Sequence, residues 1–339
     1  MSINDRFVRA LRLQPVDATP VWFMRQAGRS LPRYREQRAD HSMMEILRDP
    51  PKAAEITAMP LSYFPVDAAV LYNDLATPFL GAGLELEMRP GVGPVVHDPI
   101  RTPADVDRLR PFDPREALGY TLEQIRLLVK TIDVPVLGFV GAPFTLCSYL
   151  FPAPRSRNLE EIKTFMWREP DAWGHLADYW AVHLAEYGIA QHQAGAAGVQ
   201  VFDSWAGSLS PRDYETFVLP HSRKLLTLMR DAGVPTIHFA TGNPALLPLI
   251  AEAGGDGIGV DWRQPIDEAW DAVGHDRAIQ GNLDPVALLA GREFAVRQTR
   301  EILERVDRRP GHIFNVGHGL LPGTDPDVLR AVVDTVHSF

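Results

Sequence analysis

The chain has 339 residues, 34 Lys and Arg against 43 Asp and Glu, and a formal net charge of −9. With 45% hydrophobic and 23% charged residues it has globular composition, not that of a disordered chain. Its acidity argues against a general nucleic-acid binder or a protein held on an anionic membrane by charge. A single cysteine, Cys147, excludes an intramolecular disulfide and any metal site built from several cysteines, and fits a reducing cytoplasm.

In chain order, the opening residues have no long apolar stretch, so no secretory signal is expected. Phe7, Val8, Leu11 and Leu13 instead have the spacing of a short helix. Strand-like apolar runs follow at Val21–Met24, Ala68–Tyr72, Pro135–Val140 and Gly198–Phe202. The second half adds Pro235–Phe239, Gly257–Val260, Ala278–Gln280 and Ile313–Val316. None alternates cleanly with polar residues, the pattern of strands buried on both faces. The uncharged run Val134–Pro154 is broken by Pro135, Gly138, Gly141, Pro143 and Pro152, and so reads as strand and loop, not as a membrane span. Helical stripes occupy Glu116–Lys130, Asp171–Ala194, Pro211–Asp231 and Asp325–Val336, with Ser210 as N-cap and Gly233 as terminator of the third. The proline-rich segment Arg89–Pro114 reads as a surface excursion. Eight alternations of strand and helix predict one α/β domain over residues 1–339, a (β/α)8 barrel, with an open doubly wound sheet as the alternative.

In a parallel barrel the ligand meets the carboxyl ends of the strands, so the residue just past each run is a candidate. The densest feature is Met24–Arg38, where Arg25, Arg29, Arg33, Arg35 and Arg38 face only Glu36. Guanidinium forks fit carboxylates in bidentate fashion, so such a loop suits a polyanionic ligand. Arg33 and Arg35, on either side of an exposed-looking Tyr34, read better as solvated charges. Arg25 and Arg29 follow a buried strand beside Ala27-Gly28 and read better as ligands. Asp74, after Ala-Ala-Val-Leu-Tyr-Asn, is either a turn aspartate or a carboxylate at an apolar mouth. Tyr149 is either a core aromatic or a hydrogen-bond donor over the pocket. Ser204 lies in Asp-Ser-Trp without the elbow of a nucleophilic serine. His318 stands between Gly317 and Gly319, where close backbone approach is possible. There is no dinucleotide fingerprint after Gly91-Val92-Gly93, no Gly-Lys-Ser/Thr phosphate loop and no His-Glu-x-x-His zinc motif.

Six ordered motifs then carry a resemblance. MRQAGRSLP from Met24, YNDLATP from Tyr72, GAPFTLCSYL from Gly141, FDSWAGSLSP from Phe202, GNLDP from Gly281 and FNVGHGLLPGTDP from Phe314 together resemble the uroporphyrinogen decarboxylase family over essentially the whole chain. The resemblance implies a (β/α)8 homodimer without metal or organic cofactor. It implies a reaction that removes the carboxyl groups of the four acetates of uroporphyrinogen III, giving coproporphyrinogen III and CO2. By matched position, Arg25, Arg29 and Arg38 are implied as carboxylate-binding residues and Asp74 as acceptor of the pyrrole N–H groups. Tyr149, Ser204 and His318 are implied as further substrate contacts, and Gln26, Ala27 and Phe202 as pocket lining. The sequence departs from the family's usual residues at Ser30, Asn73 and Phe144. The resemblance implies catalytic roles for Asp74, Arg25 and Tyr149, with the donor of the first proton left open between Tyr149, Arg25, a water relayed by Arg25 and another protonated neighbour. A zinc-dependent methyltransferase, the main rival on such a barrel, is disfavoured because His238-Phe239-Ala240 lacks a ligating cysteine. A tetrapyrrole-binding protein without catalysis is the second rival.

Overall fold

The computed structural model describes residues 5–28, 30–89, 93–152 and 158–339. Its strands are β1 (Ala69–Val70), β2 (Leu86–Arg89), β3 (Gly93–Val96), β4 (Val136–Gly141) and β5 (Gly198–Asp203). They continue with β6 (Thr236–Ala240), β7 (Gly257–Gly259), β8 (Ala278–Leu283) and β9 (His312–Val316). Seven of them form one parallel sheet in the order β1-β4-β5-β6-β7-β8-β9, while β2 and β3 make a separate antiparallel hairpin. Every residue of β4, β6, β8 and β9 is buried, which is why these runs show no polar alternation.

The sheet is curled. Gln280 of β8 donates from Nε2 to Gln200 Oε1 of β5 at 2.8 Å, although two strands stand between them. In a flat sheet those backbones would lie about 14 Å apart. Trp22 Nε1 donates to Gln280 Oε1 at 2.9 Å, so the segment before β1 joins the same interior.

Helices cover the outside. Pro170–Gln193 is the longest and buries Trp173, Trp180 and Tyr187 completely or nearly so. Its Gln191 accepts from the Phe139 N–H at 2.9 Å and donates to the Phe139 carbonyl at 3.0 Å, fixing β4 from behind. Pro170, Pro211 and Pro326 each begin a helix, where the missing N–H costs no hydrogen bond. The expected helix Pro211–Asp231 is two helices, Pro211–Phe217 and Leu219–Asp231, because Pro220 opens the second and cannot continue the first. The expected helix Glu116–Lys130 is likewise divided at Leu118 into Pro114–Ala117 and Gly119–Thr131. Within the expected excursion Arg89–Pro114, β3 and the end of β2 form half of a hairpin that the proline content hid. No helix among the described residues is long and apolar enough to cross a membrane.

Val21–Met24, expected as the first strand, is not one. It contributes a single parallel bridge, Val21 to Phe314. Side chains take the place of a ladder there. The Val21 N–H donates to Asp67 Oδ2 at 2.8 Å, the Phe23 N–H to Gln26 Oε1 at 2.9 Å, and the Met24 N–H to Asn315 Oδ1 at 3.1 Å. Backbone groups so satisfied need no neighbouring strand.

Asp67 gathers the ends of the chain at this seam. It is 1% exposed, and besides the Val21 N–H it meets His337 Nε2 at 2.7 Å and the Arg6 guanidinium at 3.1 Å. Its own N–H donates to the Val21 carbonyl at 2.8 Å. Asp67→Ala is expected to lower unfolding free energy by about 3–5 kcal/mol, the usual loss when a buried charge pair is broken. A denaturant melt within 1 kcal/mol of wild type would show that the seam holds without it.

Candidate active site

The expected site residues stand at the carboxyl ends of the strands. Arg25 occupies the turn after the Val21 bridge, Asp74 follows β1, and Tyr149 caps the helix Pro143–Ser148 after β4. Phe202 and Ser204 lie at the end of β5, and His318 follows β9.

Arg25 has φ +62°, the left-handed region that side chains rarely adopt. Neighbours hold it there. Gln26 is fully buried, with Oε1 accepting from Phe23 and Nε2 donating to the Ala68 carbonyl at 2.9 Å. Gln26 therefore ties the loop to the segment before β1, and both ends of its amide are occupied. Ala27 is buried beside it. The Arg25 side chain lies across Gly319, where a Cβ would stand 2.5 Å from its Cδ. On the other side of His318, a Cβ at Gly317 would meet the Trp262 nitrogen at 2.8 Å. Each glycine of Gly-His-Gly thus lets one neighbouring loop pack directly on the backbone, and His318 projects between them.

The His318 Nδ1 accepts the Gly319 N–H at 2.8 Å, which assigns the proton of the neutral ring to Nε2. Its pKa is lowered by desolvation first, then by the charges of Arg25 and Arg263, against the opposing pull of Asp261. His318 accordingly presents a neutral N–H donor at the mouth.

Asp74 is half-buried. Its Oδ1 accepts the Ala76 N–H at 2.9 Å and its carbonyl accepts from the Thr77 hydroxyl at 3.0 Å. One oxygen of this aspartate thus shapes a turn, and the other has no donor among the described residues. Desolvation raises its pKa, while the Ala76 N–H and the Arg25 charge pull it back. Asn73 turns away from the mouth: its Nδ2 donates to the Tyr187 hydroxyl at 2.9 Å and its Oδ1 accepts the Asp74 N–H at 2.9 Å. Tyr149 lies within electrostatic reach of both Asp74 and Arg25, and burial raises its pKa. Arg25, Asp74, Tyr149 and His318 therefore form one electrostatic group.

Phe202 is half-buried between Phe139 and Phe239, with edge-to-face ring separations of 5.6 and 5.7 Å. It forms an apolar floor. Ser204 is half-buried beside it, and Arg38 hydrogen-bonds the His41 carbonyl with its charge within reach of Tyr72. Arg29 lies outside the described residues. Arg33 pairs with Glu55 at the surface, as a solvated charge does. Tyr34, expected to be exposed, is 9% exposed, and its hydroxyl is 3.2 Å from that of Tyr72. The helix Pro32–Asp40 turns that side inward against β1, which charge spacing alone did not reveal. Phe144 is wholly buried against Trp173 and so belongs to the core.

Arg263 was not singled out from the sequence. It stacks on Trp262 at 4.6 Å, pairs with Asp261, and its charge lies within electrostatic reach of His318. Its place four residues after β7 was the available signal. Trp205 lies beside Tyr149 and hydrogen-bonds it. No group of three or more His, Cys, Asp or Glu among the described residues has the arrangement of a metal site. Cys147 is buried and its thiol pKa is pushed up by burial.

A curled parallel sheet of seven strands with helices on its outside, and with Asp74, Tyr149 and His318 past the carboxyl ends of strands, defines a mixed α/β protein. The sequence profile described as Uroporphyrinogen decarboxylase (URO-D) matches residues 2–339, and the chain belongs to that family. It is 48% identical over 339 residues to the uroporphyrinogen decarboxylase of Sorangium cellulosum, covering 99% of this chain and 97% of that one. It is 50% identical over 337 residues to that of Salinispora tropica, covering 99% and 91%, and 49% identical over 336 residues to that of Streptomyces coelicolor, covering 99% and 94%. Among solved structures, a methyltransferase from Methanosarcina mazei superposes with a TM-score of 0.84 over 100% of this chain and 99% of its own, at 19% identity. At that identity the likeness concerns the fold.

Because Arg25 helps to depress the His318 pKa, Arg25→Leu is expected to move that pKa upward toward the ordinary histidine value. Gly319→Ala, by displacing the guanidinium, should move it the same way. NMR titration of the His318 ring checks both. An unchanged titration in Arg25→Leu would show that the two groups do not interact.

Proposed function

We propose that the chain binds uroporphyrinogen III at this mouth and removes CO2 from its four acetate side chains, giving coproporphyrinogen III for tetrapyrrole synthesis. Family membership supports the reaction, and one observation carries the site. Asp74 has one carboxylate oxygen with no donor among the described residues, is desolvated by its surroundings and lies within electrostatic reach of cationic Arg25. That pairing suits a ligand with anionic rim and pyrrole N–H centre. Asp74 accepts the N–H groups, while Arg25, Arg29 and Arg38 take substrate carboxylates in bidentate fashion. Tyr149, Ser204 and His318 add hydrogen bonds, Phe202 supports the macrocycle, and Gln26 and Ala27 hold the shape of the arginine loop.

Loss of CO2 from an acetate needs somewhere to put an electron pair. A protonated pyrrole supplies it. A proton added to the ring carbon beside the acetate-bearing carbon gives a cation, and the breaking C–C bond delivers its electrons into that ring. CO2 leaves, the exocyclic methylene takes a proton to become methyl, and the ring carbon returns its own. The net change consumes one proton per CO2. Since the substrate is its own electron sink, the reaction as written calls for no metal or organic cofactor. Asp74 as carboxylate stabilises the pyrrolium in a site of low dielectric. The Arg25 guanidinium is a very weak acid, so its role in the reading is to hold carboxylates and balance their charge.

The same reading closes the sheet into a (β/α)8 barrel that spans residues 1–339 as one domain. Support comes from the bonds of the Val21 segment to Phe314 on one side and to Asp67 on the other. A homodimer in the cytoplasm enters on the family resemblance, the single buried cysteine and the acidic surface.

Incubation with uroporphyrinogen III should release four CO2 per molecule, and activity should survive dialysis against a strong chelator. Loss of activity that zinc restores would overturn the cofactor-free chemistry. Asp74→Asn should lower turnover about 100- to 1000-fold. It should not lower stability. Because burial raises the folded-state pKa of Asp74, its ionisation costs stability above that pKa, and the cost vanishes below the unfolded value. Near-normal turnover in Asp74→Asn would remove the carboxylate from the mechanism.

A further inference from the structure

We propose that Trp205, Thr145 and Asp203 are positioning residues that aim the Tyr149 hydroxyl into the mouth. The proposal rests on the reading above that Tyr149 meets the substrate. Trp205 Nε1 donates to the Tyr149 hydroxyl oxygen at 3.0 Å. An indole N–H only donates, so the phenol must accept here, and its own hydrogen is left to be donated elsewhere. The charged groups within electrostatic reach of that hydroxyl are Asp74 and Arg25. The cation repels the hydroxyl hydrogen and the carboxylate attracts it, so the phenol is aimed toward the side where Asp74 holds the pyrrole nitrogens.

The indole is held in turn. The Trp205 backbone N–H donates to Thr145 Oγ1 at 3.1 Å, and the Thr145 hydroxyl donates to Asp203 Oδ1 at 2.9 Å. A carboxylate only accepts, so Asp203 sets the direction of every hydrogen in the Thr145 link. Asp203 and Thr145 are both wholly buried, which keeps water from competing for these bonds. The other Asp203 oxygen faces His238 Nε2 at 3.9 Å, and the buried Tyr214 hydroxyl interacts with the same carboxylate. Tyr214 feels the Asp203 charge, which together with burial keeps its phenol protonated. Phe202 on one side and Trp205 on the other tie this anchor directly to the pocket floor and to Tyr149.

The test compares Trp205→Phe, Thr145→Val and Thr145→Ser with uroporphyrinogen III as substrate, each checked for a cooperative thermal melt. Trp205→Phe and Thr145→Val are expected to lower kcat about tenfold with KM within twofold of wild type, a fraction of the roughly 100- to 10,000-fold that a fully lost acid–base group costs. Thr145→Ser, which keeps the hydroxyl, should restore most of the turnover lost in Thr145→Val. In a Tyr149→Phe background, Trp205→Phe should cause no further loss, because the two act through one hydroxyl. Losses that multiply in that background, or wild-type kcat in Trp205→Phe, would overturn the proposal while leaving Tyr149 in the mechanism. Wild-type kcat in Tyr149→Phe would instead remove Tyr149 from the reaction, and the positioning role with it.

Discussion

The carboxylate of Asp67 holds together segments that the chain itself keeps far apart. It receives the Val21 N–H from the first apolar run, Arg6 from the opening helix and His337 from the closing helix. Both charges at the centre of the site depend on that seam. Arg25 stands four residues after Val21, and Asp74 stands seven residues after Asp67. Gln26 reinforces the same junction by bridging Phe23 to Ala68. The placement of Arg25 relative to Asp74 is therefore set by backbone segments locked side by side. Flexible side chains do not set it alone.

Charge is arranged at two scales. The chain as a whole is acidic, which suits a protein that keeps clear of nucleic acid. The stretch from Arg25 to Arg38 is strongly basic, and its first arginine stands past the Val21 bridge beside Gly319. Arg263 brings a second guanidinium within electrostatic reach of His318, tempered by its pairing with Asp261. Burial first, and then these two cations, favour the neutral ring. At Asp74 desolvation works against ionisation and Arg25 supports it.

Much of the fold was legible from the residues. Seven of the eight expected strand runs are strands of the parallel sheet, since burial on both faces leaves an unmistakable apolar run. Val21–Met24 has the same composition, yet its N–H groups bond to Asp67, Gln26 and Asn315, residues up to 291 positions away. No local pattern reveals such substitution. Tyr34 was misjudged for a related reason, because its neighbours Arg33 and Arg35 are exposed while helix geometry turns the ring inward to Tyr72. Asp74, Tyr149 and His318 were singled out because each follows a buried run or stands in a distinctive motif, and the structure places them past the carboxyl ends of strands. Arg263, four residues after β7, gave no such motif.

The sequence by itself determined the fold class, the family and the chemistry available, because motif order, strand burial and residue type are properties of the chain read in one dimension. Tertiary structure alone decided which groups act on one another. Two glycines around His318 are interpretable only once Arg25 and Trp262 are seen resting on them. Gln26 proved to be a tie between segments only when its two partners were in place. Trp205 became relevant only through an indole hydrogen bond to a tyrosine 56 residues earlier. Hydrogen bonds and Coulomb forces act over a few ångströms in space, and only the folded chain states which residues lie within that range. The net charge of −9 is a sum over the whole chain, and the fold decides where its acids and its cations stand.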